Sequence, residues 1–275
     1  MSVATPIAIV NMPFSSSRYP SIQLGTLASV LKSHGIGVKT HHLYLHFAYQ
    51  IGVDIYEALS ERRGLLGEWL FSHLLFRNHP KNADYPRVFK PIFEELQRET
   101  GYPSAFFEEL KTKGVPQYLT RMLAEIDWGQ YRLVGFTSTF DQNVASLTLA
   151  KLIKELYPEV RIVFGGANFD GEMGLEHFRA WPWIDYVVVG EGEDVFPALA
   201  KQVLEGRDAE RIPGVVYRQN GHIAYQPNEK LFSDFHTTKP PDYDDYFELL
   251  KELNPKFFQG LNLILLYEAA RGCWW

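Results

Sequence analysis

Short apolar runs rich in β-branched residues recur along this 275-residue chain, and segments with helical spacing separate them. In two of them, residues 161–164 end in Gly165-Gly166, and residues 186–189 end in a Gly-Glu-Gly-Glu sequence. Runs without polar alternation are typical of parallel strands covered on both faces, and glycine lets backbone approach a ligand closely. Since ligands of open α/β sheets bind at the carboxyl ends of strands, these loops predict a cofactor site.

The amino-terminal part has the pattern of a βαβ unit. A buried strand is predicted over residues 6–12, a loop without helical period follows, and a second strand is predicted over residues 37–42. Between them, helical spacing is carried by Leu24, Leu27, Ala28 and Leu31. Gly35 then suits a C-terminal cap of that helix. Such a unit implies parallel strands joined by a right-handed crossover.

Residues 49–126 show helical periods only and predict an all-helical insertion. Its apolar positions fall on helix faces, which carry Phe89, Ile92, Phe93 and Leu96 in one helix and Tyr118, Leu119, Met122 and Ile126 in another. The segment 65–72 is rich in aromatic residues. Core packing is the simplest interpretation of that segment, and a cap over the cofactor or a groove for a partner peptide are the alternatives.

The α/β pattern resumes with a strand over residues 131–136, a helix, the two glycine-ended strands and another helix. A hairpin with an Asn220-Gly221 turn follows, then a Pro-rich acidic linker and an apolar run at 261–267 that opens a new domain. We therefore expect a Rossmann-like, flavodoxin-like parallel sheet flanked by helices in residues 1–48 and 127–210. The helical insertion spans 49–126, the hairpin and linker span 211–258, and a further domain starts within 259–275.

Composition narrows the classes of function. The formal charge of −6 argues against a broad nucleic-acid or anionic-membrane surface, and no apolar run reaches the length of a membrane span. The amino terminus lacks the basic region of a signal peptide. A single cysteine excludes an intrachain disulfide, which fits a reducing compartment. We expect a cytoplasmic protein.

The glycine-rich loops do not match the common nucleotide-binding fingerprints. The sequence from Gly190 has Val195 where a dinucleotide fingerprint needs its third glycine, and its two glutamates would repel a pyrophosphate. No P-loop sequence occurs. A flavodoxin-like FMN site stays open, because the hydroxyl-rich loops 15–17 and 137–139 can bind a phosphate. A metal site at the closely spaced His41, His42 and His46 is not favoured, because they lack acidic partners.

These loops form an ordered series, which continues with Ile-Pro-Gly-Val-Val-Tyr at 212–217, Pro-Pro-Asp at 240–242 and a final Arg-Gly-Cys at 271–273. The whole series resembles the amino-terminal cobalamin-binding region of B12-dependent radical SAM enzymes. Gly-Glu-Trp-Leu-Phe at 67–71 and the sequence from Tyr267 to Trp275 look more narrowly like the radical SAM C-methyltransferases that mature ribosomally made peptides. The resemblance covers nearly all of the chain and is weakest in the insertion.

The resemblance implies that four loops line cobalamin (B12). Their residues are Pro13, Phe14, Ser15, Ser16, Ser17, Thr137, Ser138, Thr139, Phe140, Gln142, Asn143, Gly165, Gly166, Ala167, Asn168, Phe169, Gly190, Glu191, Gly192 and Glu193. Small residues at Gly165 and Gly166 would admit the nucleotide tail, and the polar residues offer hydrogen bonds to amides and phosphate. Turn and helix capping is the alternative role for the hydroxyl residues. No histidine ligand to cobalt is expected, so that Phe140, Tyr19 or another loop side chain would cover the lower face.

Cys273 would be the first of three thiolates that hold a [4Fe–4S] cluster, to which S-adenosylmethionine binds. The other two would lie beyond Trp275, so we expect the front part of a longer protein, inactive alone, with the run at 261–267 as the first strand of a radical SAM barrel. The implied reaction transfers a methyl group from methylcobalamin to an unactivated carbon of a precursor peptide and requires an electron donor. A non-catalytic flavodoxin-like domain that binds FMN or a corrinoid is the alternative, and a B12-independent radical enzyme with an empty Rossmann domain is a third hypothesis.

Overall fold

A seven-stranded sheet runs through the centre of the structure, a computed structural model that describes residues 5–61, 64–77, 79–207, 211–230, 239–253 and 263–268. The strands are β1 (Ile7–Asn11), β2 (Val38–His42), β3 (Leu133–Thr137), β4 (Arg161–Gly165), β5 (Tyr186–Val188), β6 (Val215–Gln219) and β7 (His222–Tyr225). Their order is β2-β1-β3-β4-β5-β6-β7. The first five are parallel, and β6 and β7 are antiparallel to their neighbours.

Helices account for most of the remaining described residues. They are α1 (Ile22–Ser33), α2 (Leu43–Ile51), α3 (Val53–Ser60), α4 (Leu66–Leu75), α5 (Pro80–Val88), α6 (Lys90–Thr100), α7 (Ser104–Glu109), α8 (Val115–Glu125), α9 (Asn143–Leu156), α10 (Gly171–Ala180), α11 (Gly192–Leu204) and α12 (Asp244–Glu252). A short π-helical turn, Leu110–Gly114, joins α7 to α8. The predicted fold, a mostly parallel Rossmann-like sheet flanked by helices, is confirmed.

Helices cover the parallel part of the sheet on both faces, as the continuous apolar strands predict. Successive side chains of a strand point to opposite faces, so Ile7 and Ile9 of β1 join the core under α1 and α11, whereas Ala8 and Val10 join the larger core under the other helices. In the sheet, β2 lies on one side of β1 and β3 lies on the other side. The strand order therefore reverses next to β1, and a crevice is expected there.

The predicted hairpin with an Asn-Gly turn is present and extends the sheet. Asn220 and Gly221 both have positive φ, 52° and 80°, as a type I′ turn requires. Strand β6 pairs antiparallel with β5, where Val187 lies opposite Val216. The hairpin therefore completes the domain rather than standing apart from it.

The helical insertion packs its aromatic segment into the core that it shares with one face of the sheet. Trp69, Leu70 and Phe71 are buried, and the Trp69 ring stacks on Tyr85 with 5.1 Å between ring centroids. Core packing, the simplest interpretation of this segment, is confirmed. The described residues between β2 and β3 contain helices and connecting turns but no strand.

The acidic segment predicted as a linker instead packs along the sheet edge. Helix α12 lies beside β2, and Asp245 accepts from Lys39 Nζ at 2.7 Å. Asp242 pairs with Lys32 of α1 at 2.5 Å. The acidic residues are thus held by lysines of the Rossmann-like domain, an attraction that the local sequence of the segment does not show.

Residues 263–268 lie near α1 and form no strand. Ile264 N–H donates to the Arg18 carbonyl at 3.0 Å, and Tyr243 donates to the Leu266 carbonyl at 2.7 Å. A barrel strand would pair with strands of a following domain, so that assignment stays a prediction. Cys273 lies outside the described residues. No helix in the described ranges has the length and hydropathy needed to cross a membrane.

The histidines at the end of β2 are structural. His42 is buried, with its ring nitrogens 3.3 Å from the hydroxyls of Thr40 and Tyr44, and His41 Nε2 lies 2.9 Å from the Tyr131 hydroxyl. Burial lowers the pKa of His42 to about 3 and that of His41 to about 4. No group of three or more His, Cys, Asp or Glu within the described chain could hold a metal ion.

These imidazoles predict acid-sensitive folding. The unfolded chain takes up a proton at each histidine near pH 6.5, whereas the folded chain does not until about pH 3 or 4. Stability therefore falls as pH drops, by about 2 kcal/mol for His42 between pH 7 and pH 5. We expect His42→Gln to lose less of its free energy of unfolding over this interval than the wild type, as measured by urea titration. The exposed His34→Gln is the control, and equal losses in the wild type and His42→Gln would contradict the assignment.

Candidate functional site

A cleft of about 780 Å³ opens between α1 and α11 at the carboxyl ends of the parallel strands. The two helices lie on the same face of the sheet and approach closely, since a Cβ on Gly192 of α11 would lie 3.2 Å from Leu27 of α1. Thr26 and Leu27 line one wall, and Glu193 and Phe196 line the other. Leu266 and its two successors also contribute to the lining. Most of the cleft lining is apolar.

The floor of the cleft is formed by β3 and β4. Gly135 lies opposite Val163 and Thr137 opposite Gly165 in the parallel ladder, so all four residues belong to the same face of the sheet. A Cβ on Gly165 would meet only ordinary contacts, the nearest being the Val188 carbonyl at 3.5 Å. The fold therefore does not require glycine at position 165, and its small size leaves the floor open.

Gly166 has a different role from its neighbour. Its φ is 93°, and a Cβ would lie 2.7 Å from the carbonyl oxygen of Ser138 and 2.9 Å from its nitrogen. Both the backbone conformation and the close approach exclude a larger residue. Gly166 lines the cleft, but it serves first to let the loops after β3 and β4 cross.

Thr137 places a hydroxyl without a partner at the floor. The side chain is 6% exposed, and its Oγ1 is buried without a hydrogen bond. Leaving a buried polar group unsatisfied costs about 1–3 kcal/mol. A ligand atom in the cleft would remove this cost, so the hydroxyl marks a polar contact point within an otherwise apolar floor.

The mouth of the cleft is acidic on the α11 side. Glu191 precedes the helix, and Glu193 and Asp194 lie in its first turn. Carboxylates there offset the positive end of the helix, so α11 does not offer an anion site at its start. Gly190 has a φ of 82°, a backbone conformation that favours glycine, although a Cβ there would meet no atom within 4 Å. Gly190, Glu191, Gly192 and Glu193 all line the cleft, and contact of these residues with a cofactor stays a prediction.

The predicted loop after β1 lies outside the cleft lining. Pro13 is buried, and Phe14 stacks on Tyr56 of the insertion with 5.3 Å between ring centroids. Ser15 exchanges two backbone hydrogen bonds with the Tyr56 hydroxyl. Ser16 and Ser17 donate to the buried Glu57 carboxylate. Their hydroxyls therefore bind a carboxylate, and the expectation that they bind a phosphate is wrong.

The loop after β3 is partly at the cleft and partly structural. Thr139 lines the cleft, whereas Ser138 is buried and bonds Asn168 through its backbone and hydroxyl. Gln142 accepts from Thr139 N–H at 3.0 Å and donates to Asn11 and Ser15 across the sheet edge. Gln142 therefore locks the two loops together.

The remaining predicted residues fall into three environments. Ala167 lines the cleft. Asn143 N–H donates to Glu68 of the insertion, and Phe169 is buried between Phe164 and His177. Phe140 is 87% exposed and has a φ of 47°. An exposed aromatic residue in left-handed backbone is unusual, and this one lies one residue after Thr139 at the rim.

The wall of the cleft that α1 supplies was not among the residues predicted from the sequence. Ile22, Gln23, Thr26 and Leu27 line the cleft, and their spacing forms a second helical stripe beside the core stripe of Leu24, Ala28 and Leu31. That second stripe is the feature of the sequence that indicates the wall, but its polar residues match no known binding motif. The contribution of residues 266–268 depends on the fold of α12 and has no local signal.

Comparisons with known proteins agree with a cofactor site here. Residues 105–200, which contain β3, β4, β5 and most of α11, match the model of the B12 binding domain (B12-binding). The uncharacterized methyltransferase PH0819 of Pyrococcus horikoshii is 33% identical over 114 residues, which are 41% of this chain and 24% of that protein. The cobalamin-dependent radical SAM methyltransferase TokK of Streptomyces tokunonensis is 30% identical over 132 residues, 46% of this chain and 18% of that protein.

A solved structure of the radical S-adenosylmethionine methyltransferase TsrM from Kitasatospora setae, with cobalamin and a [4Fe-4S] cluster bound, aligns with 17% identity and a TM-score of 0.48. That alignment covers 86% of this chain and 31% of that one. The chain thus spans about a quarter or less of the curated relatives it matches. Residues 105–200 thus match the model of a B12-binding domain, and over part of its length the chain is similar to a cobalamin-dependent radical SAM methyltransferase.

Proposed function

We propose that the cleft between α1 and α11 binds cobalamin, and that the chain is the cobalamin-binding region of a radical SAM methyltransferase. The floor carries this proposal: Gly165 is small where the fold would accept a side chain, and Thr137 beside it holds a buried hydroxyl without a partner. Most of the lining belongs to the match with the B12-binding domain.

The residues present fit such a ligand. A volume of about 780 Å³ lies within the roughly 300–1,000 Å³ of ordinary ligand pockets. The apolar walls from Leu27 and Phe196, together with Val163 of the floor, suit a flat nucleotide base, and Thr137 offers it one hydrogen bond. The cleft would hold the nucleotide tail, and the rim residues Thr139 and Phe140 would contact the corrin ring.

The lining supplies no imidazole. No histidine is among the cleft residues in the described part of the chain, so a histidine ligand to cobalt is not part of the proposal. Phe140 would instead present an apolar ring to one face of the corrin, which explains its exposure. When bound, cobalamin supplies a methyl group carried on its cobalt.

The finer proposal concerns the reaction of a longer protein. We propose that a following domain binds a [4Fe–4S] cluster, with Cys273 as a ligand, and S-adenosylmethionine, and that an electron donor reduces the cluster. The methyl acceptor would be an unactivated carbon of a ribosomal precursor peptide. The resemblance of residues 67–71 and 267–275 to peptide-maturing methyltransferases supports this acceptor.

The first test fills the floor of the cleft. Gly165→Leu adds a side chain where the fold has room but the ligand would bind, so hydroxocobalamin affinity should fall roughly 10- to 100-fold. The protein is mixed with hydroxocobalamin and desalted, and the visible spectrum of the retained fraction gives the bound corrinoid. Ala180→Leu, which adds the same side chain at the exposed end of α10, should retain as much as the wild type. Equal retention by Gly165→Leu in a folded protein would contradict the site.

The second test removes the unpartnered hydroxyl. Thr137→Val should leave the melting temperature of the free protein unchanged or raise it, because the hydroxyl bonds nothing there. Corrinoid affinity should fall about 5- to 10-fold, the value of one hydrogen bond. Thr148→Val is the matched control, since its hydroxyl donates to the Val144 carbonyl at 2.6 Å. Thr148→Val should lower the melting temperature and leave the corrinoid affinity unchanged. A loss of affinity in Thr148→Val but not in Thr137→Val would refute the assignment.

The third test addresses the acceptor. A longer form of the protein that includes the following domain is incubated with a reductant, cobalamin, precursor peptide and deuteromethyl S-adenosylmethionine. Mass spectrometry should locate a deuterated methyl group on a carbon of the peptide. Methylation of a small-molecule carbon, with the peptide unchanged, would reject the peptide and keep the methyltransferase.

A further inference from the structure

Helix α4 of the insertion and helix α9 of the Rossmann-like domain cap each other. Glu68 in the first turn of α4 accepts the N–H of Asn143 through Oε1 at 3.0 Å and that of Val144 through Oε2 at 2.6 Å. In return, Asp141, just before α9, accepts the N–H of Gly67 at 3.1 Å. Each carboxylate satisfies backbone N–H groups that a helix start leaves without a partner.

The two helices pack so closely that a residue larger than glycine does not fit at position 67. A Cβ on Gly67 would lie 2.5 Å from Cδ2 of Phe14 and 2.8 Å from Cβ of Asp141. The insertion therefore contacts both cofactor-side loops, the one after β1 through Phe14 and the one after β3 through Asp141. The insertion is a fixed part of the Rossmann-like domain.

These contacts hold the loop that forms the rim of the cleft. Phe140 keeps a left-handed φ of 47° with its ring exposed, a conformation that persists only where the surroundings impose it. Asn168 donates to the Phe140 carbonyl at 2.9 Å on one side. On the other side, Asp141 and Asn143 are bound by Gly67 and Glu68.

We propose that Glu68 is a positioning residue of the corrinoid site, which through α9 fixes the loop carrying Thr139 and Phe140 and makes corrinoid affinity depend on its own ionisation. This inference rests on the proposed function. It assigns to the insertion a regulatory role at the site that its aromatic core does not suggest.

The environment of Glu68 makes its ionisation sensitive to pH near neutrality. Burial raises the pKa of Glu68 to about 7, against the opposing effect of the Val144 and Asn143 N–H groups, and the neighbouring Asp141 raises it further. His177 contacts Asn143 from α10, and burial lowers its pKa. The ionised carboxylate accepts both N–H groups, whereas the protonated form loses acceptor capacity at the oxygen that carries the proton. The loop is therefore held best above pH 7.

The test compares hydroxocobalamin dissociation constants of the wild type, Glu68→Gln and the exposed control Glu94→Gln at pH 6, 7 and 8, measured by equilibrium dialysis. Ratios at each pH cancel any titration of the free corrinoid. Glu68→Gln should bind several-fold more weakly than the wild type at pH 8 and about equally at pH 6, and Glu94→Gln should match the wild type throughout. A constant ratio across pH would overturn the proposal and give Glu68 a purely structural role.

A second measurement requires no variant. In protein labelled with carboxyl-¹³C glutamate, the Glu68 resonance should titrate near pH 7 and move to lower pH when hydroxocobalamin is bound, because binding and ionisation are reciprocally linked. If the Glu68 resonance titrates at the same pH with and without bound hydroxocobalamin, the proposal is overturned. Failure of the wild type to bind hydroxocobalamin at any pH would instead contradict the proposed function itself.

Discussion

The requirement to cover both faces of a parallel sheet determines this structure. Strands β1, β3, β4 and β5 are largely apolar on both sides, so helices must bury them on both sides. One face is closed completely by α9, α10 and the insertion. Among the described residues, α1 and α11 cover the other face, and Gly135 of β3 and Gly165 of β4 lie between them. That shortage of side-chain volume at the carboxyl ends of the strands produces the cleft.

The loops around the cleft are ordered by buried polar contacts from distant sequence. Glu57 of α3 binds Ser16 and Ser17, and Glu68 of α4 caps α9. Gln142 then joins the two loops by bonding Asn11 and Ser15. Because buried carboxylates and amides must be satisfied, these contacts specify one arrangement of the rim. The insertion thus supports the site without lining the cleft.

The sequence predicts what depends on local pattern. Apolar runs locate β1, β3, β4 and β5, and the βαβ pattern locates β2. Asn220-Gly221 locates the hairpin turn, because positive φ is a property of the segment itself. The glycine loops after β4 and β5 line the cleft at the carboxyl ends of the strands, and their role in binding a ligand stays a prediction. The carboxylate partner of Ser16 and Ser17 could not be predicted, since hydroxyl groups suit a phosphate and a carboxylate equally. Helix α12 depends on lysines more than 200 residues away.

In the proposed complex, a corrinoid binds with its nucleotide tail between α1 and α11. Crystals of the hydroxocobalamin complex, measured at the cobalt absorption edge, test it most directly. We expect one anomalous peak above the carboxyl ends of β3 and β4, beside Phe140, with continuous density for the nucleotide tail down to Thr137 and Gly165. A cobalt peak elsewhere, or an empty cleft beneath a bound corrin ring, would contradict the account.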